Sequence, residues 1–216
     1  MKKAILFDLD GTLWDSSQAV VDSWNEVIDT LPDYHKRITI KDMQSWMGRT
    51  MDEIASSCFT TVDAKRVAEI LNLCATHENE YIEKHGGILY AGLEDTLKKL
   101  HEKYFLAIVS NCQKGYIEAF LHYYKLSRYI DDTECFGNTN LPKDGSITVL
   151  LERNHIAKED ALYVGDIEGD YLAATKAGLT FVHAAYGFGK VEQAKHRIER
   201  ISGILNMAET IFAAQE

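Results

Sequence analysis

Ala4-Ile5-Leu6-Phe7 is an unbroken apolar run that ends at Asp8-Leu9-Asp10-Gly11-Thr12. A short run that is apolar at every position, not at alternate ones, has to be covered on both faces. That is the condition of a strand inside a parallel sheet. Gly11 then permits a tight turn. The pattern recurs: residues 105–109 precede Ser110-Asn111, residues 161–164 precede Gly165-Asp166, and Thr180-Phe181-Val182 follows Gly178. Glu134-Cys135-Phe136 is a weaker strand candidate. Helical spacing fills the gaps, at residues 92–103 through Leu93, Leu97 and Leu100, and at 116–126 through Ile117, Phe120, Leu121 and Tyr124. Residues 146–153 and 170–177 also fit helices. Strands alternating with helices predict βαβ units and an α/β class built on a parallel sheet.

Residues 15–87 differ, because they contain no strand-like run. Val20, Trp24, Val27 and Ile28 lie on one helical face, as do Val67, Ile70, Leu71, Cys74 and Tyr81. Thr50 and Glu53 have the spacing of a capping box. An all-helical block is therefore expected directly after the first strand, with His85-Gly86-Gly87 as the joint back. The division predicted is a core of residues 1–14 and 88–216 and a helical insertion of residues 15–87. Trp14 and Trp46 are expected to be packing residues.

A formal net charge of -10 with no offsetting basic run argues against a nucleic-acid surface. No window approaches a transmembrane helix, and the apolar run at the N-terminus is too short for a signal peptide. Cys58, Cys74, Cys112 and Cys135 form no CxxC pair and no zinc spacing. They are expected to be reduced thiols in a cytoplasmic protein.

The chemistry concentrates at the ends of the expected strands, the edge where open α/β sheets bind ligands. Asp8 and Asp10 are two residues apart at such an end. Ser110 and Asn111 follow the second run. Asp166 and Asp170 follow the run that ends at Gly165, and Lys143 is expected in a loop, 141–145. Acidic pairs at two strand ends suit a hard cation with oxygen ligands, and Mg²⁺ takes one or two carboxylates plus substrate phosphate. A lysine and a hydroxyl suit phosphoryl oxygens. Each feature has a plainer reading: a turn for Asp8 to Gly11, a helix cap for Ser110-Asn111, a first-turn carboxylate for Asp170, a solvated loop arginine for Arg49.

The DxDGT motif at Asp8 to Thr12, Ser110, Lys143 and the GDxxxD motif at Asp166 and Asp170, in this order, resemble the haloacid dehalogenase superfamily in its phosphatase branch. The resemblance covers nearly the whole chain, and the helical block resembles the family's C1 cap. It implies a Rossmann-like core, Mg²⁺ and a small phosphorylated metabolite as substrate. It implies Asp8 as nucleophile and Asp10 as general acid and base, with Mg²⁺ held by Asp8, the Asp10 carbonyl and Asp166. Ser110, Asn111 and Lys143 would bind the phosphoryl group, Asp170 would orient water or Lys143, and Thr12 would close the turn by hydrogen bonding. Lys143 departs from the pattern because Asp144-Gly145 follows it, where the family often has proline; Lys158 is the rival. Arg49, in Gly48-Arg49-Thr50, is the candidate for substrate specificity. The leading function is hydrolysis of a phosphoglycolate-like or sugar phosphate. The alternatives are a sugar phosphomutase and a silent binding protein on the same fold. The mutase branch usually carries DGV and an early cap histidine, where this chain has Asp10-Gly11-Thr12 and Ser16-Ser17-Gln18. The presence of Asp10 also argues against dehalogenase chemistry, which needs no acid for a halide leaving group.

Overall fold

The computed structural model describes residues 3–60 and 62–214. The chain begins with β1 (Ala4–Phe7) and β2 (Trp14–Asp15). Four helices follow: α1 (Ser17–Ile28), α2 (Ile40–Trp46), α3 (Met51–Cys58) and α4 (Ala64–His85). Next come β3 (Ile88–Leu89), α5 (Leu93–His101), β4 (Phe105–Ser110), α6 (Tyr116–Tyr124), β5 (Asp132–Cys135), the short α7 (Phe136–Thr139) and α8 (Lys143–Arg153). The last elements are β6 (Ala161–Gly165), α9 (Glu168–Ala177), β7 (Thr180–Ala184), β8 (His196–Ile198) and α10 (Ile204–Ala213).

Six strands form one parallel sheet in the order β5-β4-β1-β6-β7-β8. β1 is central, flanked by β4 and β6, and all four of its residues are fully buried. Alternate side chains serve opposite faces. Ile5, Phe7, Leu106, Ile108, Leu162 and Val164 pack on the side that α5, α6 and α10 cover. Ala4, Leu6, Ala107, Val109, Ala161 and Tyr163 pack on the side of α8 and α9. Coverage of both faces is why these strands are apolar throughout. The Rossmann-like α/β class expected from the sequence is therefore present.

Helices α1 to α4 lie between β2 and β3, and the face of Val20, Trp24, Val27 and Ile28 is buried, as is that of Ile70 and Cys74. Thr50 and Glu53 make their capping box, with the Thr50 amide donating to Glu53 Oε2 at 2.9 Å. Trp14 is fully buried, its ring 4.8 Å from that of Phe120. Trp46 is half-buried against the same core.

The structure differs from the sequence reading in several places. β2 and β3 pair antiparallel, Trp14 with Leu89 and Asp15 with Ile88, so a small ribbon forms where only a joint was expected. β8 and α10 were not anticipated. Lys143 is the first residue of α8 rather than part of a loop. Pro142 caps that helix, a position where its missing N–H costs nothing. The cysteines are all free, and no helix among the described residues is long and apolar enough to cross a membrane.

Candidate active site

The strand register brings Asp8, Ser110 and Asp166 to the C-terminal edge of three adjacent strands. Phe7 pairs with Ile108 and Val164, and the chain steps past the sheet within two residues on each strand. The Asp8 amide still donates to the Val164 carbonyl at 2.8 Å. Beyond it, Gly11 turns at φ +81°, its amide donating to Trp14 O at 2.9 Å. A Cβ on Gly11 would lie 2.2 Å from Asp166 Oδ2. Only glycine meets both demands.

Asp8, Lys143, Asp166 and Asp170 are all buried to within 5% exposure. Lys143 Nζ donates to Asp8 Oδ1 at 2.8 Å and to Asp170 Oδ1 at 2.5 Å. Asp170 Oδ2 accepts from the amides of Asp166 and Ile167 at 3.1 and 3.2 Å. Asp170 thus contacts both Lys143 and the main chain at the start of α9. Asp166 Oδ2 accepts from the Phe188 amide at 2.7 Å. Lys158 lies in the turn before β6, at the opposite end of that strand, and is no rival for Lys143.

Asp10 points elsewhere. Its Oδ1 accepts from Ser16 Oγ at 2.5 Å and Tyr116 OH at 3.0 Å. Its carboxylate is not one of the three clustered at Asp8, Asp166 and Asp170.

Burial sets the electrostatics. It raises the Asp8 carboxyl to about 7, with Asp170 adding and Lys143 opposing. It pushes Asp166 well up, with Asp170 and Asp8 adding to it. It raises Asp10 also, against the hydrogen bonds from Ser16 and Tyr116. Burial alone would lower Lys143, but Asp170 and Asp8 hold it well above the ordinary lysine range.

Three carboxylates face one lysine here. Asp8, Asp166 and Asp170 each offer an oxygen within 4.8 Å of the others, and Asp8 Oδ2 is buried without a hydrogen-bond partner. An excess of buried negative charge and an orphaned carboxylate oxygen fit a divalent cation with oxygen ligands. Lys143 and two amides already occupy Asp170, so Asp8 and Asp166 are the side chains that would hold Mg²⁺.

One sequence expectation is corrected. The Thr12 hydroxyl is buried without a partner, so it does not close the turn. The main chain does, with Leu13 N donating to Leu9 O at 2.9 Å, while Thr12 O accepts from Tyr186 OH. The Asn111 side chain is engaged with the helical block. Its Nδ2 donates to Gly48 O at 2.8 Å, tying the segment between α2 and α3 to the core, and Oδ1 can only accept.

A cavity of about 40 Å³ joins the strand edge to the helical block. Asp10, Ser110 and Asn111 line it from the strand edge, and Trp24, Met43, Glu78 and the exposed Arg49 from the helical block. Sequence reasoning missed Ser16, Tyr116, Phe188 and Glu78. A signal existed only for the loop that carries Phe188, in the glycines Gly187 and Gly189 that flank it.

Glu78 on α4 is buried, and its Oε2 accepts from Trp24 Nε1. Burial pushes its carboxyl up from 4.5 to about 8; the bonds from Trp24 and Gln113 oppose this, and Asp10 adds to it. The folded protein therefore binds this proton more tightly than the unfolded chain. Stability present below the unfolded value is lost as pH rises through the folded one. The slope is about 1.4 kcal/mol per pH unit. Glu78→Gln removes it while keeping an acceptor for Trp24. The variant is expected to gain in melting temperature over wild type from about pH 5 to about pH 9, by roughly 2–4 °C per kcal/mol. An equal difference at both pH values in calorimetry would contradict this.

A model of the haloacid dehalogenase-like hydrolase family matches residues 5–184. A phosphoglycolate phosphatase of Aliivibrio fischeri is 27% identical over 201 residues, which cover 88% of this chain and 87% of that protein. Phosphoglycolate phosphatase 1 of Pseudomonas aeruginosa is 28% identical over 200 residues, 87% and 71% of the two chains. The solved structure of a haloacid dehalogenase-like family hydrolase from Streptococcus pneumoniae superposes with a TM-score of 0.83 at 21% identity, over 96% of this chain and 98% of that one. The chain belongs to the haloacid dehalogenase-like hydrolase family.

Proposed function

We propose that the protein is a Mg²⁺-dependent phosphohydrolase of small soluble phosphate monoesters, acting through an aspartyl phosphate on Asp8. The observation that carries this is the pairing of Lys143 with Asp8 next to an Asp10 held by two hydroxyls. A carboxylate oxygen of Asp8 attacks phosphorus, and the bond to the leaving oxygen breaks. Asp10 protonates that oxygen. It then takes a proton from the water that displaces the Asp8 carboxylate, so its protonation state is restored. Ser110 and Lys143 hold the phosphoryl oxygens. Lys143 also offsets the repulsion between a carboxylate and a phosphate dianion. The cation, on Asp8, Asp166 and the Asp10 carbonyl, would supply charge neutralisation for the transferring group.

Residues 15–87 serve as a cap over a core of residues 1–14 and 88–216. The cavity beneath the cap has room for a few waters but not for a metabolite, so the cap must shift for substrate to reach Asp8. Arg49 meets the part of the substrate remote from the phosphate. Relatives named as phosphoglycolate phosphatases, and the enclosed site, support a small phosphorylated metabolite as substrate.

Phosphate release over a metabolite panel tests the reading. Release with Mg²⁺ is expected to fall by about two orders of magnitude in EDTA, since Lys143 alone leaves the acidic cluster unbalanced. Mg²⁺ is also expected to raise the melting temperature, by about 2.7 kcal/mol of stability at 100 times its Kd. Full activity in EDTA, with no thermal shift on adding Mg²⁺, would sink the metal assignment.

A further inference from the structure

Tyr116 carries a hydroxyl that packing does not call for. The residue is 2% exposed, and its ring lies 6.1 Å from that of Trp14. Phe120, one turn further along α6, packs on the same Trp14 with no hydroxyl. Phenylalanine at 116 would keep the same ring contacts. A buried hydroxyl costs stability unless it is bonded, and this one donates to Asp10 Oδ1 at 3.0 Å. The bond joins the turn after β1 to the first turn of α6, across 106 positions of sequence. Both residues line the cavity under the helical block.

The bond decides where a proton on Asp10 can sit. Oδ1 accepts twice, from Tyr116 and from Ser16 Oγ at 2.5 Å. A carboxyl oxygen has two lone pairs near the plane of the group. With both taken by hydroxyl donors, Oδ1 has no place for a proton, and a proton on Asp10 is held at Oδ2. With Ser16 alone, one lone pair of Oδ1 would be vacant and either oxygen could carry it. General acid catalysis needs the proton on one defined atom, because the acid must meet the leaving oxygen at hydrogen-bond distance with that proton between them.

We infer that Tyr116 is a positioning residue for the leaving-group step: by filling the second lone pair of Asp10 Oδ1, it keeps the transferable proton on Oδ2. The inference rests on the phosphohydrolase reading and deepens it. Tyr116 does not touch the reacting atoms and acts only through Asp10.

Two probes of nearly equal size separate this role from packing. Phenyl phosphate releases a phenolate about as basic as that of tyrosine, with a pKa of about 10, and its departure needs the proton. 4-Nitrophenyl phosphate releases a stabilised anion that needs the proton little. The ratio kcat/KM covers the steps through departure of the leaving group, so hydrolysis of the intermediate does not enter it. It is measured in Mg²⁺ on the wild type, Tyr116→Phe, Asp10→Asn and the double variant. Tyr116→Phe is expected to lower kcat/KM for phenyl phosphate by about tenfold, the worth of one hydrogen bond, and for 4-nitrophenyl phosphate far less. In Asp10→Asn, which has no proton to place, the same substitution should leave the ratio between the two substrates unchanged. Equal losses on both substrates, or no loss on either, would overturn the inference while leaving the phosphohydrolase standing. So would a ratio that still shifts in Asp10→Asn, because Tyr116 would then act without Asp10. Loss of cooperative melting in Tyr116→Phe would overturn it too, by showing that the hydroxyl holds the fold. No phosphate from either probe with the wild type would overturn the phosphohydrolase reading, and this inference with it.

Discussion

Asp8→Asn is expected to abolish turnover while raising the melting temperature of the metal-free protein. The two effects have one cause. Asp8 is buried, and burial with the neighbouring Asp170 lifts its carboxyl to about 7 against the pull of Lys143. A carboxyl whose folded value is raised loses stability for the protein as pH climbs from its unfolded value of 3.8 to the folded one. At neutral pH most of that loss is already incurred. Asparagine has the same shape and can still accept from Lys143 Nζ, but it carries no charge and cannot attack phosphorus. Turnover should fall by about four orders of magnitude or more, the scale seen when a nucleophile is removed. The metal-free variant should melt a few degrees higher, at about 2–4 °C per kcal/mol for a chain of this size. Steady-state phosphate release and a thermal melt in EDTA check both. A variant that melts lower would show that the Asp8 charge stabilises the fold.

Lys143→Met is expected to do the opposite to stability and the same to activity. Lys143 is the only cation in hydrogen-bond contact with Asp8 and Asp170 among the described residues, and its side chain is 4% exposed. Methionine matches its length but leaves Asp8, Asp166 and Asp170 without a countercharge. Breaking a buried ion pair from one side costs about 3–5 kcal/mol, enough to lower the melting temperature by roughly ten degrees. Mg²⁺ should recover part of that, because it binds the same excess charge. Asp8→Asn in the Lys143→Met background should also recover part, since one of the uncompensated charges is gone. The two substitutions are therefore expected to be strongly non-additive, which a double-mutant cycle measures directly. Additive melting temperatures would contradict the account of the cluster.

What the sequence made legible follows from physical distance along the chain. β1, β4 and β6 could be read because sheet coverage on both faces forces every position to be apolar. Asp8, Asp10, Ser110 and Asp166 could be placed because each sits within a few residues of such a run's end. β8 gave no such signal, since only Ile198 of its three residues is buried at the sheet edge. The start of α10 has no side-chain cap to mark it. Lys143 was read as a loop residue because Pro142 and Gly145 both resemble breakers. In the fold the proline stands just ahead of the helix, and the glycine packs close to the Leu141 side chain. The groups that tune the site were out of reach. Tyr116 lies 106 positions from Asp10, and Glu78 lies 54 from Trp24, so only the folded chain brings them together.

The central claim is that phosphate passes through a covalent bond to Asp8. Rapid acid quench of the wild-type protein during turnover of ³²P-labelled substrate, followed by peptide mapping, tests it most directly. The label is predicted on the peptide that contains Asp8, appearing before free phosphate accumulates and absent from Asp8→Asn. Phosphate release with no labelled protein at any quench time, or with label on a peptide without Asp8, would contradict the account.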